Sequence, residues 1–212
     1  SGLLGRREEL ERLLDGIYAR AGIPVSIKTR LGLRDPEEFF PLLELFNRYP
    51  VCELIIHPRV QKDFYRNQPR LDAFAAALAS CRAPVCYNGD LVTAADCAAL
   101  IRRFPGVTAL MAGRGAVADP ALFSKARGGP GADRGALRAF HDELYAGYAQ
   151  AFGSRRNATL RMKEFWSYLL GLFQDGAGQA KALRKAADPA AYEAAVNHIF
   201  QSLPLREDAA VI

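Results

Sequence analysis

No apolar run in this 212-residue chain approaches the roughly 20 residues that a membrane-crossing helix needs, and no signal-peptide pattern opens it. Cysteine is scarce. Cys52, Cys81, Cys86 and Cys97 form no C-x-x-C pair and have no histidine cluster beside them, which argues against a zinc or other metal site. Cys52 and Cys86 stand in or beside apolar strand-like runs and Cys97 in a helical one, the setting of a reduced thiol that packs as a small hydrophobe. A cytoplasmic protein without a membrane partner is expected. An initiator methionine is lacking too. Ser1-Gly2 runs straight into a helical pattern from Arg6 to Arg20, with Leu10, Leu13, Leu14 and Ile17 on one face, so the chain is expected to begin at an internal cut.

Half of the residues are hydrophobic and 24% charged, ordinary values for a globular chain long enough for one or two domains. The net charge of +5 tilts the reading towards an anionic partner, though only slightly by itself. Four short apolar runs recur: PVSIKTR (24–30), CELIIHPR (52–59), PVCYNGD (84–90) and VTALMAGRG (107–115). Between and after them lie stretches of helical period, Pro36 to Tyr49, Arg70 to Cys81, Thr93 to Phe104 and Pro120 to Ala126. Successive runs are about 24 to 31 residues apart, the size of a βα unit. Apolar strands alternating with amphipathic helices predict an α/β fold, a parallel sheet covered by helices. Four such units make half of an eight-unit barrel.

The polar residues gather at the carboxyl ends of these runs: Lys28 and Arg30, His57 and Arg59, Asn88 and Asp90, then Gly113-Arg114-Gly115. In the first three the paired residues are two apart, so each pair points to one side of its strand. Any one pair reads as turn chemistry. Four consecutive strand ends built this way read as a site, because barrels and open α/β sheets place their sites there. Gly89, Gly113 and Gly115 allow close backbone approach, and a helix after the last of them would turn its first amides towards an anion. Lys28 offers a point charge, and His57 a hydrogen bond near neutral pH.

Taken in order and spacing, SIKTRLG, ELIIHPRVQKDFY, YNGDLVTAAD and LMAGRGAVADPALF resemble the tRNA-dihydrouridine synthase family, over roughly residues 1–125. The resemblance implies an FMN enzyme that uses NADPH to reduce a uridine of tRNA to 5,6-dihydrouridine. It implies the C-terminal half of a flavin-binding TIM barrel over residues 1–127, followed by an all-α, tRNA-binding domain over 128–212. By the family's motifs Lys28 would contact the flavin ring and His57 the cofactor, with Asn88, Gly89, Asp90, Gly113 and Arg114 around the ribityl phosphate. Arg30 and Arg59 would face the substrate. The family's cysteine-bearing loop has no counterpart here, so no catalytic residue is assigned and the chain is expected to be inactive alone. A half barrel with exposed edge strands also invites pairing of two copies into a homodimer.

Beyond the Gly-rich RGGPGADRG (127–135) the strand pattern stops, and helices are expected over 136–152, 157–173, 178–187 and 189–203. In SRRNATLRMKEFWSYLLGLF, Arg155, Arg156, Arg161 and Lys163 stand against the single Glu164, with Trp166 and Tyr168 interleaved and Leu160, Phe165, Leu169 and Leu170 expected to face the core. Such a face is either an ordinary solvated surface or one that tracks RNA phosphates. Two other readings stand beside the first: a barrel flavoenzyme of a small metabolite, similar to dihydroorotate dehydrogenase, and a non-catalytic RNA- or protein-binding fragment. The basic helical region weighs against the former, since a small substrate does not require it.

Overall fold

The computed structural model describes residues 2–64 and 66–210. They form two compact units. One is built from residues up to Asp90 and from Ala99 to Ala112, the other from Leu91 to Ala98 and from Gly113 onward.

The first unit holds four strands, β1 (Ile27–Gly32), β2 (Leu54–Val60), β3 (Val85–Asn88) and β4 (Ala109–Met111). All pairs are parallel and the strands lie in chain order. Helix α1 (Arg7–Tyr18) precedes β1, α2 (Phe39–Phe46) joins β1 to β2, α3 (Leu71–Ser80) joins β2 to β3, and α4 (Ala94–Arg103), shared between the units, leads to β4. A doubly wound sheet reverses its strand order. These four do not reverse, and right-handed crossovers taken always in one direction set their helices on one face. The expected α/β fold with a parallel sheet is present.

Register explains how the polar residues came to share one face. Thr29, Ile56, Tyr87 and Leu110 are neighbours across the sheet, and this row meets the helices: Phe74 of α3 lies edge-on to Tyr87 at 5.0 Å and to Phe104 at 5.1 Å. Asp35 and Glu38 close a capping box on the 3-10 turn Pro36–Glu38 that feeds α2, satisfying amides that would otherwise be unpaired. Leu10 and Leu14 of α1 are buried as the periodicity required, while Leu13 is 45% exposed.

The second unit holds α5 (Arg114–Ala118), α6 (Leu122–Ala126), α7 (Arg134–Ala151), α8 (Arg155–Leu169), α9 (Gly176–Lys185) and α10 (Pro189–Ser202). Asp133, Ser154 and Asp188 cap α7, α8 and α10 through their side chains, each worth about 1 kcal/mol. Leu137, Met162, Trp166, Phe173, Leu183, Tyr192 and Phe200 build the core. His141 is buried among them, its Nε2 2.7 Å from Tyr192 Oη, which also accepts from Trp166 Nε1 at 3.0 Å.

Two sequence expectations shift here. Trp166, expected among the basic residues, is in the core, and Leu160, expected in the core, is 58% exposed. The buried stripe of α8 runs through Ala158, Thr159, Met162, Trp166 and Leu169, a spacing of three and four that leaves Leu160 on the opposite side. The sequence pattern groups residues 113–126 with the strands, yet Ala118 packs into the helical core. The reason is local. Gly115 sits so close to the 91–92 backbone that a Cβ there would be 1.9 Å from the Leu91 carbonyl oxygen.

Candidate functional site

On the face opposite the helix-packed row, β1–β3 carry two polar or mixed rows. Lys28 is beside Ile55, Ile55 beside Cys86 and Cys86 beside Ala109. One pleat nearer the carboxyl ends Arg30 is beside His57, and Asn88 is beside Met111. Continuing the β2–β3 register by one residue sets His57 next to Asn88. Three of the predicted site residues thus form one row, with Lys28 just behind it.

Each member has a defined setting. Arg30 donates from Nη1 to the Val60 carbonyl at 3.0 Å and to the Phe64 carbonyl at 3.3 Å, tying β1 to the loop after β2. Asn88 donates from Nδ2 to the Met111 carbonyl at 2.8 Å and so staples the short β4. Lys28 is exposed, and partial desolvation, with Arg30 adding to it, holds its ammonium below the ordinary range. His57 is 6% exposed. Its imidazole is lowered from 6.5 to about 4, first by burial and then by Arg30, Arg59 and Lys28, with Asp90 opposing them. At neutral pH it is an uncharged donor and acceptor set among cations.

Arg59, expected to face substrate, is 2% exposed. Its Nη1 is 2.9 Å from Asp90 Oδ1 and 3.1 Å from His57 Nε2, its Nη2 pairs with Asp90 Oδ2, and its Nε donates to the Asn67 carbonyl at 2.5 Å. A guanidinium committed this fully shapes the site. Asp90 has a φ of +33°, uncommon outside glycine though tolerated by aspartate, and the ion pair holds it there. Its carboxylate is engaged by Arg59 yet stays 30% exposed, while Gly89 beside it is buried. Gly89 lies against Tyr87, whose hydroxyl would be 2.9 Å from an added Cβ.

Sequence reasoning missed Asp63. It is 5% exposed and accepts from the Val60 amide at 3.0 Å, from Asn67 Nδ2 at 2.6 Å and from both Nη atoms of Arg70. Arg70 chiefly drives its carboxyl far below the usual range. The signal was present in the D-x-x-x-N spacing with an arginine three further on, but nothing marks such a spacing as a hub without the loop's path.

In the other unit, Gly113 precedes α5, and a methyl added there would meet no atom within 4 Å, in contrast to Gly115. Helix α5 has only five residues, too few for a sizeable helix dipole. Of the four basic residues on α8, Arg155 pairs with Glu193, Arg161 with Glu164 at 2.6 Å, and Lys163 donates to the Ala186 carbonyl at 2.6 Å beyond the end of α9. Arg156 is exposed. Exposed pairs of this kind are worth about 0–1 kcal/mol, so Arg155 and Arg161 can exchange them for phosphate, whereas Lys163 serves the bundle.

The buried histidine makes stability depend on pH. Above 6.5 the imidazole is neutral whether folded or unfolded; between 6.5 and about 4 the unfolded chain binds a proton that the folded one refuses, so stability falls as pH falls through that window. His141, also lowered by burial, contributes with the same sign. Denaturant midpoints measured across this range should slope less in His57→Gln than in the parent, and parallel profiles would count against the buried neutral imidazole.

Comparison with known proteins adds three findings. The family model described as Dihydrouridine synthase (Dus) matches residues 1–201. The chain is 34% identical over 128 residues to the tRNA-dihydrouridine(16) synthase of Cupriavidus necator, covering 59% of this chain and 39% of that protein. It is 28% identical over 124 residues to tRNA-dihydrouridine synthase B of Pseudomonas aeruginosa, covering 58% and 37%. The matched stretch spans about two fifths of the length of these relatives.

Proposed function

The chain belongs to the dihydrouridine synthase family, and from that premise we propose that it serves the reduction of a uridine of tRNA to 5,6-dihydrouridine, with FMN as cofactor and NADPH as reductant. The observation that carries the proposal is the row Arg30–His57, continued by Asn88, which crosses the middle of β1 and β2 and the carboxyl end of β3, with Lys28 behind it nearer the start of β1. The unreversed strand order supports the sheet's being part of a TIM barrel, the architecture in which such a row faces the interior.

The residues present fit FMN by their chemistry. Lys28 and Arg30 are cations on one face, and His57 is a neutral hydrogen-bonding partner. Bound, the flavin would supply the electron pair for the reduction. Lys28 would set positive charge against the flavin ring and His57 would hold the cofactor. The Asn88-Gly89-Asp90 turn and Gly113-Arg114 are assigned to the ribityl phosphate. Arg59 acts at one remove, by holding Asp90 and His57 in place. Arg30 stays assigned to the substrate side.

These residues hold and orient rather than transfer the proton that completes the reduction. Cys86 is buried, its thiol pushed up to about 11; Cys97 is buried and also raised. Cys81 is raised by burial. Cys52, although exposed, precedes β2 at the end opposite the row. The thiols of this chain are therefore not assigned as the general acid, and the chain by itself is proposed to be inactive.

Recognition of tRNA is assigned to the helical unit through Arg155, Arg156 and Arg161. Fluorescence anisotropy of labelled tRNA tests this. Affinity should fall linearly on a double-logarithmic salt plot, and Arg156→Ala should lower the slope by about one. Absence of binding at low salt, or a slope unaffected by Arg156→Ala, would set the RNA reading aside.

A further inference from the structure

The loop after β2 presents an aromatic ring that packing does not explain. Phe64 is 65% exposed and has φ +51° and ψ −102°. For a bulky residue this backbone is an outlier. Such strain persists only where the surroundings over-determine it, and here they do. Arg30 from β1 donates to the Phe64 carbonyl at 3.3 Å and to the Val60 carbonyl at 3.0 Å. The buried Asp63 gathers Val60, Asn67 and Arg70 from one side. The Lys62 amide donates to the Leu33 carbonyl at 3.0 Å and the Phe64 amide to the Gln61 carbonyl at 3.2 Å. A glycine would accept this conformation without strain, yet a phenylalanine stands there.

Its neighbours indicate what it meets. Lys62 and Arg66 are both exposed, and Arg30 anchors the loop from below. An exposed ring between cations suits a nucleobase, whose face stacks on the ring while the cations meet phosphate; a purely apolar partner would not call for the charges. From the hydrogen bonds that anchor Phe64, the strained backbone and the flanking charge, we infer that Phe64 is a stacking residue for an unpaired base of the RNA substrate. The inference rests on the RNA reading above and adds a specific contact in the strand unit, distinct from the basic residues of α8.

The test uses the full chain with unfractionated tRNA and two variants. Phe64→Gly relieves the backbone, so its melting temperature should equal or exceed that of the parent while its tRNA Kd rises about tenfold. In Phe64→Trp the new indole should be quenched on tRNA addition; the natural Trp166, 1% exposed, stays silent in the parent. Unchanged tRNA affinity in Phe64→Gly with no quenching in Phe64→Trp overturns the stacking role and leaves RNA binding intact. Loss of stability together with affinity in Phe64→Gly makes the residue structural, which also overturns it. A fluorescence shift in Phe64→Trp with rising protein concentration and no RNA means that a second copy covers the ring, and this too overturns the role. No tRNA binding by any of the three chains removes the RNA reading and this contact with it.

Discussion

Gly115→Ala should destabilise the protein by about 3 kcal/mol or more, a fall in melting temperature on the order of 10 °C, while Gly113→Ala should cost only about 1 kcal/mol. The two glycines flank one arginine in the sequence and look equivalent there. Their surroundings differ completely. A Cβ at Gly115 would lie 1.9 Å from the Leu91 carbonyl oxygen and 2.9 Å from both the Leu91 carbonyl carbon and the Val92 Cα. All three are backbone atoms, and the 91–93 segment is held by Asp96, which accepts from the Val92 amide at 3.1 Å and the Thr93 amide at 2.8 Å. The methyl can be admitted only by moving α5 off that segment. At Gly113 the same methyl meets nothing within 4 Å, and what it meets instead is a backbone of φ −103° and ψ −89°, outside the α region that a residue with a Cβ favours, so the loss there is small and conformational. Paired thermal melts decide the matter. Equal effects of the two substitutions would mean that the close approach at Gly115 is wrong. If Gly113→Ala loses no more than about 1 kcal/mol but binds FMN more weakly, the glycine is kept for approach to a ligand.

The second large effect is expected at Arg59. Arg59→Met should cost about 3 kcal/mol, towards the lower end of what removing one partner of a buried pair costs, because Asp90 remains 30% exposed and can recover some hydration. The substitution strips the Asp90 carboxylate of its ion pair, takes the Nη1 contact from His57, and leaves the Asn67 carbonyl without its donor. Asp90→Asn alone should also be costly, since it leaves a nearly fully buried guanidinium uncompensated, and asparagine keeps the positive φ accessible. The double variant should be more stable than the sum of the two losses predicts, with a coupling of about 1–3 kcal/mol. Denaturant titration of the four proteins measures this. A loss of under about 1 kcal/mol in Arg59→Met would mean that the arginine does not hold the Asp90 turn together and would return it to the substrate side.

Much of the strand unit is legible in the sequence because its chemistry obeys position. A side chain's face follows from counting by two, so Lys28 with Arg30, and Asn88 at the end of its run, can be placed from the order of residues alone. Partnership cannot be placed that way. Arg59 and Asp90 are 31 residues apart, and whether an arginine at a strand end meets a ligand or an aspartate depends on how deeply the next βα turn folds back. The apolar run 107–115 reads as extended to its end, but only Ala109–Met111 is strand. Gly115 allows α5 to begin at Arg114 by packing on the 91–92 backbone, a contact with no sequence signature. In α8, basic residues and aromatics interleave, and charge points to the wrong side of the helix. The stripe at 158, 159, 162, 166 and 169 contains an alanine and a threonine, which weakens the apolar period that would assign Trp166 to the core.

The central claim, that the polar row on this sheet face holds a flavin, is tested most directly by titrating the chain with FMN and following flavin absorbance and fluorescence, in parallel with Lys28→Ala. The account predicts saturable binding by the parent chain, weakened in Lys28→Ala without loss of thermal stability, since Lys28 is exposed. No saturable binding by the parent, or identical binding by the two proteins, would contradict it.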